Sequence, residues 1–289
     1  MFDLLNLFYH QHTAIFGMFV LAFGSIVGSF LNVVIFRLPK ILEQTWRKEA
    51  SLILGHAPET DKRINLWGPR SACPSCQSTI RAYDNIPILS FLLLNGQCRD
   101  CLDKISWRYP LIELATGLVT LGLLIVLGWS ATFAAALLLS YGLIVLTFID
   151  LDHQILPDQI TLPGIWIGLL LNLNDIFCSL EEAVIGAVAG YLSLWIVYQG
   201  FKLATGKEGM GFGDFKLLAA LGAWFGWMAL PGIVLISSAI GAIIGITLIV
   251  LGRPREEAIA FGPYLALAGF IFLLAGDTVM SFYLPAGAL

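Results

Sequence analysis

Long apolar runs separated by short polar breaks dominate this chain, and a helix needs about 20 mostly apolar residues to cross a bilayer. On that measure the runs predict spans near 14–36, 111–128, 131–149, 160–178, 182–203, 215–229, 231–251 and 260–284. The sixth is short and rich in Gly and Trp, so it is expected to be tilted or to enter the membrane only partway. One sizeable polar region, 38–110, interrupts the series. The pattern therefore predicts an all-α polytopic membrane protein of about eight transmembrane helices with a small polar insert.

Composition agrees. The 289 residues are 58% hydrophobic and only 12% charged, against about a quarter charged in soluble domains. Net charge, −4, says little, but the placement of positive charge says more. Eleven of the sixteen Lys and Arg residues lie between Arg37 and Arg108, and the rest are Lys202, Lys207, Lys216, Arg253 and Arg255. None precedes Arg37, so there is no basic n-region and the first apolar segment is expected to be retained as a span. With the N-terminus outside, the insert and the loops near 150–159, 204–214 and 252–259 all face the cytoplasm, and every basic residue lies on or near that side. The outer side keeps acids such as Asp3, Asp175, Glu181, Glu182 and Asp277.

The insert opens with a mixed-charge stretch, Lys40 to Arg63, of the kind that forms an amphipathic surface helix. It then carries Cys73-Pro-Ser-Cys76 and Cys98-Arg-Asp-Cys101, separated by 21 residues. Two such pairs match a four-thiolate zinc site. The alternative is two disulfides, which a reducing cytosol disfavours. Four thiolates leave no open position for water, so the zinc would be structural. Cys178 lies in an apolar run and reads as a small core residue.

Carboxylates beside membrane spans are costly and mark function by default. Asp150 ends the third span and Asp214 precedes the sixth, so both are predicted at the cytoplasmic face and can meet there although 64 positions separate them. Asp150 reads either as half of a catalytic pair or as a polar residue where a helix meets water. Asp214 follows Gly209, Gly211 and Gly213, and reads either as a carboxylate on a bent backbone with room for a peptide or as a loop N-cap. Asp152 would face away from Asp150 on a continuing helix, His153 is an interfacial polar residue, and Asp158 after Pro157 is placed to cap a helix. Lys207 and Lys216 read as membrane-surface anchors. No phosphate loop, G-x-G-x-x-G, H-E-x-x-H or G-x-S-x-G pattern occurs.

Taken in order, these segments resemble the bacterial type IV prepilin peptidase family (prepilin leader peptidase/N-methyltransferase). The resemblance runs through Gly28-Ser-Phe-Leu-Asn-Val-Val-Ile-Phe-Arg-Leu-Pro39, the paired cysteines, Arg108-Tyr-Pro-Leu-Ile-Glu-Leu-Ala-Thr116, Ile149-Asp-Leu-Asp-His-Gln-Ile-Leu-Pro-Asp158, Gly209-Met-Gly-Phe-Gly-Asp-Phe-Lys216 and Phe261-Gly-Pro-Tyr264. It implies a membrane aspartyl protease with Asp150 and Asp214 as catalytic aspartates. It also implies a first helix at 1–37, a cytoplasmic insert at 38–110 associated with methyl transfer, and a protease core at 111–289. Implied substrates are type IV prepilins and type II secretion pseudopilins, cleaved after a glycine at the end of a short basic leader at the bacterial inner membrane. The new N-terminus, usually Phe, would be methylated from S-adenosylmethionine. The lipid bilayer is the expected surrounding, and no nucleic-acid partner is expected. Two other classes compete. An ion-coupled transporter would place its acids near mid-bilayer and often shows internal repeats. An assembly factor would explain the cysteines but not the Gly-x-Gly-Asp sequence.

Overall fold

A computed structural model describes residues 9, 11–55, 64–252, 254 and 259–283. Asp3, Lys62, Arg63, Arg253 and Arg255, used above for the topology, lie outside the described residues. Among the described residues the chain is helical, with only isolated bridges at Ala72–Thr79 and Gln97–Lys104. The helices are α1 Thr13–Ile53, α2 Leu89–Leu93, α3 Arg108–Leu127, α4 Ala131–His153, α5 Asp158–Leu171, α6 Leu180–Thr205, α7 Phe212–Phe225, α8 Leu230–Val250 and α9 Gly262–Met280. They fall into two compact units, 1–129 and 130–289.

Among the described residues, six helices are long and apolar enough to cross a membrane: α1, α3, α4, α6, the Trp227–Val250 stretch that contains α8, and α9. The runs expected to span at 160–178 and 215–229 instead form helices of 14 residues, α5 and α7. At 1.5 Å per residue each covers about 21 Å, short of a hydrocarbon core of about 30 Å. Specific residues end them. Asn172 follows α5 and is fully buried; its amide donates to the carbonyls of Ala223 and Trp224 at 3.0 Å, and its oxygen accepts from the N–H groups of Phe177 (3.0 Å) and Cys178 (3.3 Å). One side chain thus turns the chain and satisfies the last carbonyls of α7. Cys178 sits in that turn rather than in a helix. Gly226, at φ +79°, ends α7 where a side chain would be strained.

In the first unit α1 is a single helix of 41 residues, so the mixed-charge stretch after Lys40 continues the first span rather than forming a separate surface helix. Pro39 lies inside it. α3, grouped by sequence with residues 111–289, packs on α1 here. A Cβ on Gly28 would lie 2.8 Å from Glu113 Cα, and one on Gly117 would lie 3.0 Å from the Leu21 carbonyl. Small residues spaced four apart, Gly24 and Gly28, let the two backbones touch. Buried polar groups pin the insert to this pair. The Arg37 guanidinium donates to the carbonyls of Asn65 (3.0 Å) and Pro69 (2.5 Å). Glu113 accepts from the Ile88 N–H at 2.8 Å, and within the pair Asn32 of α1 donates to the Tyr109 carbonyl at the start of α3 at 3.1 Å.

In the second unit α7 is the hub. Almost every residue from Asp214 to Trp224 is buried, with α5, α6 and α9 packed around it. Trp224 Nε1 donates to the Gly164 carbonyl of α5 at 2.8 Å. Against α6, Gly222 and Gly186 lie so close that a Cβ on either would collide with the other's carbonyl oxygen. Residues read as one more span form a protein-enclosed helix, which need not reach across lipid because its neighbours cover it.

Gly222→Ala is expected to destabilise the protein by about 1–3 kcal/mol through forced separation of α6 and α7. A lower thermal unfolding midpoint in detergent checks this; an unchanged midpoint means the two backbones do not meet there.

Candidate active site and metal centre

Asp150 lies in the last turn of α4, which closes at Gln154 in the left-handed conformation (φ +54°). Asp214 lies in the first turn of α7, three residues after its N-cap Gly211. The Asp214 N–H donates to the Gly211 carbonyl at 3.2 Å, as a residue of the first helical turn does. Asp214 is therefore inside the helix rather than its N-cap. The side chain sits where the α7 dipole favours an anion.

Both aspartates are buried, at 5% and 7% exposure, unlike acids at a helix end that meets water. Leu156 joins them. A Cβ on Gly213, next to Asp214, would lie 2.7 Å from Leu156 Cβ, and one on Gly262 would lie 3.0 Å from the Leu156 methyls and 2.6 Å from Asp150 Oδ2. Leu156 thus lies against both the residue before Asp214 and the glycine that faces Asp150. Asp150 Oδ2 is buried with no hydrogen-bond partner among the described residues. A buried unpaired carboxylate oxygen is expensive, and such groups occur where function requires them. The Phe261-Gly-Pro-Tyr264 segment thus acquires a reason: only glycine lets the start of α9 press against Asp150.

Asp158 does not cap a helix. It is the first residue of α5, and its carboxylate receives Lys216 Nζ at 2.6 and 2.8 Å. Lys216, read as a membrane-surface anchor, instead ties the first turn of α5 to that of α7. Lys202 Nζ bonds Glu208 at 2.8 Å and Tyr198 Oη at 3.3 Å. Tyr198 in turn packs on Phe212 and Phe215, its ring centroid 5.4 and 5.7 Å from theirs. This group holds the Gly209–Gly213 approach to Asp214. None of these partnerships spans fewer than four positions, and the longest, Lys216 to Asp158, spans 58.

In the insert the four sulfurs of Cys73, Cys76, Cys98 and Cys101 all lie within 4.8 Å of one another. Cys73 and Cys101 are 3.8 Å apart, Cys76 and Cys98 4.0 Å, and all four thiols are free. A tetrahedral zinc with bonds of about 2.3 Å sets its sulfurs about 3.8 Å apart, so the donor set fits. The two hairpins also share a backbone pattern. The Cys73 N–H donates to the Ser78 carbonyl and the Gln77 N–H to the Cys73 carbonyl; in the second hairpin the Cys98 N–H donates to the Asp103 carbonyl and the Leu102 N–H to the Cys98 carbonyl. Gln77 and Leu102 both take φ +61°.

Known proteins resemble the chain along most of its length. Residues 22–127 match the bacterial peptidase A24 N-terminal domain and residues 137–246 the type IV leader peptidase family. A prepilin leader peptidase/N-methyltransferase of Aeromonas salmonicida (strain A449) is 55% identical over 271 residues, covering 92% of each chain. One of Aeromonas hydrophila is 54% identical over 270 residues, 92% of each. One of Pseudomonas aeruginosa is 50% identical over 276 residues, 95% of each. No solved structure matches. The chain belongs to the type IV leader peptidase family, whose leader peptidase domain holds both aspartates' helices and whose N-terminal domain holds the cysteine cluster.

Proposed function

We propose that the protein is a bifunctional prepilin leader peptidase and N-methyltransferase of the bacterial inner membrane. Asp150 and Asp214 hydrolyse the bond after the glycine that ends the basic leader of type IV prepilins and type II secretion pseudopilins. The new N-terminal residue, usually Phe, is then methylated with S-adenosylmethionine as donor. The observation that supports the peptidase most is that Leu156 lies against both Gly213, next to Asp214, and Gly262, which faces Asp150, while both aspartates are buried and Asp150 Oδ2 has no hydrogen-bond partner among the described residues.

Two close carboxylates do not both ionise readily, so the pair holds one proton. The ionised carboxylate accepts a proton from water as the water oxygen bonds to the scissile carbonyl carbon. The protonated one donates to the carbonyl oxygen; the carboxyl that took the water's proton then gives it to the leaving nitrogen as the C–N bond breaks, and the tetrahedral intermediate returns a hydroxyl proton to the other carboxylate as the new acid forms. The titration belongs to the pair. Placement at the cytoplasmic face admits water and an extended peptide while the substrate's apolar segment lies along the spans. All eight apolar runs would then lie in the membrane, with α7 dipping in as a short, protein-covered helix and α5 as a short one whose Leu162, Trp166 and Leu170 stay exposed.

Zinc held by Cys73, Cys76, Cys98 and Cys101 would tie the two hairpins of the insert together. A small region with little core gains much of its stability this way. The four thiolates fill the coordination sphere, so the chemistry of methyl transfer falls to other groups.

Asp150→Asn and Asp214→Asn are each expected to abolish cleavage of a prepilin peptide, a loss on the order of 10²-fold or more, while the purified protein keeps its helical circular dichroism. Substantial residual proteolysis in either variant rejects the pair. Wild-type kcat/KM should follow a bell in pH: it falls at low pH as a second proton removes the base, and at high pH as the shared proton leaves and removes the acid.

Gly262→Ala should cut cleavage strongly, because its methyl would enter the space of Asp150 Oδ2; unaltered kinetics would show that the start of α9 does not bear on the site. Cys73→Ser should lose bound zinc, measured by atomic absorption, and reduce methylation while membrane insertion persists. Metal content and methylation both unchanged would dismiss the zinc assignment.

A further inference from the structure

We propose that the apolar segment Ile86–Leu94, with α2 at its centre, is an interfacial anchor that seats the cysteine-bearing insert in the headgroup and upper acyl region of the bilayer. The segment is Ile-Pro-Ile-Leu-Ser-Phe-Leu-Leu-Leu, far more apolar than the rest of the insert. Most of that apolar surface is not used inside the protein. Phe91 is buried, but Leu89, Leu92 and Leu93 are exposed, Leu93 by 74%.

Depth decides what covers these side chains. Glu113 lies five residues into α3, a membrane-length helix that starts at Arg108. At 1.5 Å per residue that is roughly 8 Å along the span. The Glu113 carboxylate accepts from the Ile88 N–H at 2.8 Å, so the start of α2 is held at that level. Phe91 packs on Trp107, which immediately precedes α3, at a centroid distance of 4.6 Å. Trp67, 86% exposed, lies 6.1 Å from Phe30 of the first spanning helix. Two exposed tryptophans beside span ends mark the membrane interface. The exposed leucines of α2 thus continue the lipid-facing surface of α3, where Leu111 and Leu114 are also exposed. Burying a leucine side chain in an apolar phase is favourable, and a short amphipathic element held at this depth reaches that phase. The occupant is lipid, and the inference does not depend on the Asp150–Asp214 reading.

The full-length protein reconstituted in phosphatidylethanolamine/phosphatidylglycerol vesicles provides the test. A phospholipid with a photoreactive diazirine in the upper acyl chain is activated, and adducts are mapped by mass spectrometry. Adducts are expected on 86–94 as well as on the exposed face of α3. Adducts on α3 with none on 86–94 overturn the proposal. In a Leu92→Asp/Leu93→Asp variant the 86–94 adducts should be mostly lost while bound metal stays constant, which shows that the insert remains folded. Undiminished labelling in that variant counts against it. A photoreactive amino acid in place of Leu93 should join to lipid; joining to a protein instead would assign the face to protein docking and overturn the proposal.

Discussion

Contact between the bare backbones of α6 and α7 is the constraint on which the catalytic unit rests. At Gly186 and Gly222 nothing but hydrogen separates one helix from the carbonyls of the other. Close approach of this kind maximises dispersion where there is no hydrophobic drive between lipid-facing helices. It draws α7 into the centre of the bundle, where α5 and α9 complete its surroundings. Once α7 is fixed, the position of Asp214 in its first turn is fixed too. Leu156 and Gly262 then bring the end of α4 and the start of α9 to the same place.

The electrostatics around the pair follow a division of labour. Basic side chains near the site are occupied elsewhere: Lys216 by Asp158, Lys202 by Glu208 and Tyr198. These pairs fasten the first turns and loops without placing a cation directly on the carboxylates. Asp214 sits instead in the first turn of α7, where the aligned peptide dipoles present their positive end. Such dipoles support an anion while leaving one proton of the pair free to move, which acid–base work requires.

Much of this was legible in the chain. The apolar runs revealed a polytopic helical protein, the paired C-x2-C spacing singled out the sulfurs that gather in one cluster, and acids at the ends of apolar runs drew attention to Asp150 and Asp214. The ends of α5 and α7 were not legible. Hydropathy reports how apolar a stretch is, whereas Asn172 ends its helix through bonds to Ala223 and Trp224, some fifty positions away. Asp158 looked like a cap because the residues around it are those of a cap; its partner Lys216 is 58 positions distant. Gly262 carried a signal only as part of a family segment, and its contact with Asp150 depends on packing that no local pattern encodes.

The twin hairpins of the insert carry a consequence for how that region assembles. Each closes its own turn through the same pair of backbone bonds, so each can present two sulfurs before the other arrives. An ion gripping both ends then shuts a loop of 21 intervening residues, a closure whose entropic cost rises only slowly with length. Insertions between the hairpins should therefore be tolerated far better than a single residue added inside either one.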